Sequence, residues 1–94
     1  MLRVVAKHVI LADLDAPERT CQWLREVAVG EGVEGWVAPK DAGLEAWFEG
    51  STSAVDAMLA WCESQRGKPD APMHISTQRP CLCGGFELLE QAPT

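Results

Sequence analysis

Strand-like and helix-like patterns alternate along this chain of 94 residues in an order that few small folds can accommodate. A run rich in β-branched residues, Leu2–Leu11, predicts a first strand, and an apolar stripe at helical spacing follows Asp15. Two further runs, 33–39 and 44–50, flank the turn sequence Lys40–Gly43. Turn residues between two strand-like runs predict a hairpin.

The rest of the chain continues this alternation. A second helical pattern covers Ser51–Gln65, and two strand-like runs follow at Met73–Gln78 and Phe86–Glu90. The order β-α-β-β-α-β plus a terminal strand predicts an α+β ferredoxin-like sandwich, in which an antiparallel sheet carries two helices on one face. We expect a single domain over residues 1–94, because a chain this short buries one modest core.

Both predicted helices carry candidate capping residues at their amino ends. Asp15 is the predicted N-cap of the first helix, with Pro17 in the first turn and Glu18 three residues after Asp15. Ser51 or Ser53 is the predicted N-cap of the second helix. If the first prediction holds, the side chains of Asp15 and Glu18 rather than a ligand satisfy the free amides at the start of the first helix.

Charge excludes several classes of function. The formal net charge is −6 and the isoelectric point is about 4.7. That balance argues against binding to nucleic acid or to an anionic membrane surface, both of which require clustered lysine and arginine. No apolar run is long enough to span a bilayer, and the first residues lack the cleavage site of a signal peptide. We therefore expect a small acidic cytoplasmic protein.

The middle of the chain resembles the acylphosphatase family over the runs VEGWV and GLEAWFEGSTSAVDAMLAWC. The family pattern is a Gly-Trp-Val strand, a turn, a strand ending in Glu-Gly and a helix with a tryptophan near its last turn. The matching positions are Gly35, Trp36, Val37, Gly43, Leu44, Glu45, Glu49, Gly50, Ala54, Val55 and Trp61. The resemblance covers residues 28–61 well and the ends loosely, although GFELL also resembles the family's last strand.

This resemblance implies a specific reaction, hydrolysis of the carboxyl-phosphate bond of acyl phosphates without a metal or cofactor. In the family, a glycine-rich loop after the first strand ends in an arginine at the start of the first helix, and together they hold the phosphate. An asparagine just after the Gly-Trp-Val strand positions the attacking water.

This sequence departs from the family at both positions. Counting back from Trp36 without a gap, the place of the arginine falls on Cys21, and that of the asparagine falls on Pro39. A thiol is not a planar cation, and proline has no side-chain amide. The run DLDAPERT, with three carboxylates, takes the place of the glycine-rich loop. We therefore predict that hydrolysis is weak or lost and that the domain is a non-catalytic interaction or ligand-binding module.

An active acylphosphatase is the alternative hypothesis. It requires a substitute cation, and the candidates are Arg19, two residues before Cys21, and Lys40, directly after Pro39. If neither residue is catalytic, we expect Arg19 to form a surface ion pair with a nearby carboxylate and Lys40 to be a solvated turn lysine.

The cysteines suggest a third hypothesis, a thiol or metal site at Cys81 and Cys83 with His74. Only one residue separates the two cysteines, so the usual zinc spacings are missing. Cys21 lies in an apolar helical pattern and is expected to be a packed thiol rather than a reactive one.

Two tryptophans are candidates for a binding surface. Alternation along the hairpin places Trp36 and Trp47 on the face of the sheet without helices. They are either a packed cross-strand pair or an interaction face for a partner or a second copy. The expected partners are a small anionic ligand or a protein, and the expected state is a monomer or weak dimer.

Overall fold

A computed structural model describes residues 3–66, 72–81 and 84–93 of the chain. The elements are β1 (Val4–Leu11), α1 (Pro17–Glu31), β2 (Glu34–Lys40), β3 (Gly43–Ser51), α2 (Thr52–Ser64), β4 (Met73–Gln78) and β5 (Phe86–Leu88). This order confirms the predicted βαββαβ plan with a terminal strand. Within the described ranges, neither helix is long and apolar enough to cross a membrane.

The strands form one sheet in the order β4-β1-β3-β2-β5. The pairs β1–β3, β1–β4 and β2–β3 are antiparallel, as predicted, but β5 runs parallel to β2, so the sheet is mixed. The register explains the difference, because β4 ends beside Ala6 and β5 begins beside Gly35, at the same end of the sheet. The chain reverses its direction between these two strands, and β5 therefore follows the direction of β2.

The core lies between the sheet and the two helices. Its buried residues include Leu11 and Phe48 from the strands, Leu24 from α1 and Met58 from α2. The Phe48 and Phe86 rings stack with their centroids 6.1 Å apart, which fastens β5 to the core. Burial of each such side chain contributes about 1.5–3 kcal/mol, so this layer supplies most of the driving force for folding.

The two helices begin differently. The Ser51 hydroxyl accepts a hydrogen bond from the Ala54 amide at 3.2 Å, which confirms Ser51 as the N-cap of α2. The predicted Asp15 cap of α1 is wrong, because the N-cap residue is Ala16 and no side chain of the described residues caps this helix. Pro17 is the physical reason, since a residue before proline is kept out of the helical region and Ala16 becomes the last non-helical position.

Candidate functional site

The loop between β1 and α1 lies against the turn between β2 and β3. The Leu14 amide donates a hydrogen bond to the Ala42 carbonyl at 2.8 Å, which ties the two loops together. Asp13 and Asp41, one in each loop, both have left-handed backbone conformations, with φ values of 57° and 53°. The amino end of α1 and the carboxyl end of β2 therefore share one edge of the fold.

A surface depression of about 340 Å³ lies at this edge. It is lined by Glu18, Cys21 and Gln22 of α1 and by Pro39 of β2. Leu88, the last residue of β5, and the next two residues, Leu89 and Glu90, complete the lining. The structure thus brings together Cys21 and Pro39, the two positions that the sequence assigned to the family's arginine and asparagine. The sequence did not predict that residues 88–90 line this depression, because their position depends on the pairing of β5 with β2.

A second depression, of about 360 Å³, adjoins the first and shares Glu18 and Pro39 with it. Its other lining residues are Ala16, Pro17, Arg19 and Asp41. Arg19 therefore stands beside the predicted site, and within the described residues it forms no ion pair with Asp15 or Glu18. The lining of the two depressions includes three acidic residues, Glu18, Asp41 and Glu90, and one arginine, Arg19, so this edge is acidic.

Cys21 is a packed thiol, as the sequence predicted. Its exposed fraction is 0%. Burial, reinforced by the negative charge of Glu18, raises the pKa of the Cys21 thiol to about 11. Burial alone raises the pKa of Cys62 to about 12. Both groups are uncharged thiols at neutral pH, so neither is suited to bind an anion or to act as a nucleophile.

Lys40, the other candidate cation, points elsewhere. Its Nζ atom lies 3.3 Å from Glu45 Oε1, on the face of the sheet opposite the helices. Lys40 lines neither of the two depressions that contain Pro39. The structure therefore separates Lys40 from Cys21 and Arg19, and the lysine is an ion-paired strand residue rather than a solvated turn residue.

The face of the sheet without helices, called the open face below, carries a cluster of three rings. Trp36 lies directly opposite Trp47, and Trp47 lies opposite His8, which confirms that both tryptophans share this face. The His8 ring centroid is 6.4 Å from that of each tryptophan. His8 Nε2 lies 2.6 Å from Glu45 Oε2, so the glutamate fixes the orientation of the imidazole.

Glu45 therefore has two polar neighbours, His8 and Lys40. Burial alone would raise the pKa of the Glu45 carboxyl, but hydrogen bonds and positive charge from His8 and Lys40 outweigh burial and lower that pKa. The carboxylate is consequently ionised throughout the neutral range and couples β1 to the hairpin of β2 and β3.

Glu49 is a structural residue that the sequence did not identify. Its exposed fraction is only 2%, although alternation places it on the open face. Its Oε1 atom accepts hydrogen bonds from Trp47 Nε1 at 2.9 Å and from the Cys81 amide at 2.8 Å. Glu49 thus anchors the segment after β4 to the sheet, a long-range contact that no local pattern could reveal.

The predicted thiol or metal site is only partly visible. Cys81 is exposed, and His74 is an exposed residue of β4. Cys83 lies outside the described residues. Within 3–66, 72–81 and 84–93, no three His, Cys, Asp or Glu side chains are grouped so that they could hold a metal ion. The site at Cys81, Cys83 and His74 stays a prediction.

Comparison with known proteins identifies the class of this domain. No family model matches the chain. An acylphosphatase of Synechococcus sp. is 42% identical to it over 69 residues, which cover 72% of this chain and 71% of the relative. An acylphosphatase of Haloquadratum walsbyi is 50% identical over 68 residues, which cover 68% of this chain and 71% of the relative.

Solved structures agree on the fold. An acylphosphatase from Coxiella burnetii superposes with a TM-score of 0.77 and 15% identity, over 92% of this chain and 93% of the other. Full-length HypF contains a similar unit, with a TM-score of 0.76 and 12% identity over 95% of this chain and 12% of that protein. The fold is thus the ferredoxin-like sandwich of these structures. With the sequence relatives, it follows that the chain belongs to the acylphosphatase family.

Proposed function

We propose that this acylphosphatase-family domain does not catalyse acyl-phosphate hydrolysis and is instead a non-catalytic interaction or ligand-binding module. One observation carries the proposal. The depression at the amino end of α1 is lined by a buried thiol, Cys21, and by a proline, Pro39, where the family resemblance expects an arginine and an asparagine.

The chemistry of the reaction explains why these two residues matter. A phosphoryl group carries negative charge on its oxygens, and a guanidinium offers paired donors to hold them while the bond to the leaving carboxylate breaks. Loss of a single donor of this kind costs about a hundredfold or more in rate. Cys21 offers no charge and Pro39 offers no side-chain donor, so two such contributions are missing together.

The charges at this edge also oppose a phosphate. Glu18 lines both depressions, and Asp41 and Glu90 each line one of them. Each carboxylate within 4 Å of an anion in water costs about 1 kcal/mol, and more where water is excluded. A protein partner, among the ligands considered, suits this acidic edge better than a small anion does.

Hydrolysis of benzoyl phosphate tests the proposal. We expect the rate with this protein to equal that of buffer alone, under conditions in which a positive-control acylphosphatase consumes the substrate. Turnover that exceeds the buffer rate and grows in proportion to protein concentration would contradict the proposal.

An active hydrolase that uses Arg19 is the second candidate, and two observations favour it. Arg19 and Pro39 line the same depression, and no side chain in the described part of the protein caps the amino end of α1. The uncapped helix end leaves the first-turn amides available to an anion.

Two arginine variants separate this candidate from the first. Any turnover that depends on Arg19 should fall by about a hundredfold in Arg19→Ala. The matched control is Arg25→Ala, which removes an exposed arginine further along the same helix and should leave the turnover unchanged. Equal effects of the two substitutions would exclude a specific role for Arg19.

A further inference from the structure

Two exposed carboxylates flank Trp36 on the open face of the sheet. Glu34 precedes Trp36 by two positions on β2, and alternation puts both on the same face. Glu87 of β5 is paired directly with Trp36. Both glutamates are exposed, while the tryptophan is partly exposed. An aromatic ring with two acidic residues at neighbouring positions is a favourable environment for a positive charge.

The rings of His8 and Trp47, which lie next to Trp36 on the open face, are held in place by hydrogen bonds. The His8 ring centroid lies 6.4 Å from that of each tryptophan, and Glu45 fixes the imidazole through the 2.6 Å contact. The Trp47 indole N–H is held by the buried Glu49. A ligand that binds Trp36 therefore meets rings that are already ordered, which lowers the entropic cost of binding.

We propose that the open face binds arginine or lysine side chains from a basic segment of a partner protein, with Trp36 as the aromatic platform and Glu34 and Glu87 as the carboxylates. This inference rests on the proposed function, since it names the partner chemistry of the interaction module. The one lysine of β2, Lys40, is paired with Glu45 and does not neutralise Glu34 or Glu87.

Charge complementarity favours this occupant over the others. A second copy of the chain would bring its own net charge of −6 and the same glutamates against this face. Nucleic acid would be repelled for the same reason. A basic segment instead gains both cation–π attraction to the ring and ion pairs with the flanking carboxylates.

Titration with a short peptide of alternating arginine and glycine tests the inference. We expect the indole N–H resonance of Trp36 to shift on addition of the peptide, and that of Trp23 to stay in place. Trp23 is a suitable internal control because it is 51% exposed but lies on α1, on the other side of the sheet.

Matched variants assign the binding to this face. Trp36→Leu should weaken peptide binding about fivefold, whereas Trp23→Leu should leave it unchanged. The double variant Glu34→Gln with Glu87→Gln should weaken binding about threefold and reduce its dependence on salt. Because both glutamates are exposed, the double variant keeps the test decisive even if Trp36→Leu fails to fold.

Three results would overturn the inference. The first is that a glutamate–glycine peptide binds as tightly as the arginine–glycine peptide. The second is that Trp23→Leu weakens peptide binding more than the double variant of Glu34 and Glu87 does. The third is that the protein self-associates in sedimentation and that the double variant abolishes this self-association. The outcome is separate from that of the benzoyl phosphate assay. A protein that binds the arginine peptide and also hydrolyses the substrate contradicts only the absence of catalysis, and one that does neither contradicts only this inference.

Discussion

Two regions of the molecule differ in how their helix begins and in their local backbone geometry. The first is the unit formed by β2, β3 and α2, and the second is the junction between β1 and α1. In the first, the helix is capped by Ser51, and Gly35 allows a close approach of two strands. In the second, the helix begins at a proline without a side-chain cap from the described residues, and Asp13 adopts a left-handed conformation. The strongest family resemblance in the sequence falls on the first unit. Of the departures from the family, the run DLDAPERT and Cys21 fall on the junction and on α1, whereas Pro39 falls on β2.

The contrast teaches that packing and site chemistry are separable in this fold. Phe48 and Val37 of the hairpin fill the core, and a change there would alter the whole sheet. The residues that line the depressions, such as Glu18 and Arg19, are exposed on a helix whose other face makes the core contacts. The sequence at the helix end can therefore change its charge and its donors while the fold persists.

The largest effect should come from Gly35→Ala, which breaks the close approach inside the hairpin. An added Cβ would overlap the Trp47 carbonyl oxygen, and φ at this position is +136°. We expect a loss of about 3 kcal/mol or more in the free energy of unfolding, measured by urea denaturation.

The control for this change lies in α1. Gly30 is helical, and no atom of the described residues outside its own helix turn stands within 4 Å of the position that a Cβ would take there. Gly30→Ala should therefore stabilise the protein by about 0.5–1 kcal/mol. A similar loss of stability in both variants would show that the close strand approach is not the cause.

An intermediate effect should distinguish the two helix starts. Ser51→Ala removes the hydroxyl that accepts from the Ala54 amide, and we expect it to cost about 1 kcal/mol. Asp15→Ala removes a residue that does not cap α1, so its effect should stay below about 0.5 kcal/mol. Thermal and urea unfolding of the two variants measure the difference, and equal losses would restore Asp15 as a cap.

The smallest effect on stability should come from a change at Glu45 of β3, whose contact with His8 links the hairpin to β1. The folded-state pKa of Glu45 lies below its ordinary value of 4.5, because His8 and Lys40 outweigh the opposing effect of burial. As the pH falls, the Glu45 carboxylate therefore takes up a proton in the unfolded chain before it does so in the folded protein. The contribution of the ionised Glu45 to stability, present above pH 4.5, is lost below it.

Glu45→Gln tests this pH dependence. The variant should be less stable than the wild type by about 0.5 kcal/mol at neutral pH, and it should lose less stability on acidification. Urea denaturation of both proteins between neutral and acidic pH gives the comparison. A steeper acid loss in Glu45→Gln than in the wild type would contradict the assigned direction of the pKa shift.

Local signals were sufficient for much of the fold. The alternation at 44–50 and the helical stripe after Ser51 predicted β3 and α2, and the open-face position of Trp36 and Trp47 followed from the same alternation. The site was predicted less completely. Cys21 and Pro39 were expected together, but the lining by 88–90 and the ion pair of Lys40 were not.

The two wrong expectations have different physical causes. Asp15 has the right chemistry for a cap, but Pro17 keeps Ala16 out of the helical region, so the N-cap position falls one residue after Asp15. Glu49 looks like a solvent-facing strand residue until Cys81, distant in sequence, donates its amide to the carboxylate. The contact of Glu49 with Cys81 is not visible in a window of neighbouring residues, whereas the start of α1 at Ala16 is consistent with the adjacent Pro17.

By itself, the sequence determined the order of strands and helices, the acidic character, and the absence of an arginine and an asparagine from the positions where the family resemblance expects them. These properties depend on residue identity and on periodicity, which are local. Only the tertiary structure decided that β5 runs parallel to β2, that Arg19 rather than Lys40 lines a depression with Pro39, and that Glu87 is paired with Trp36. Those relations arise from pairing between distant strands, where the side chains that meet are set by the path of the whole chain.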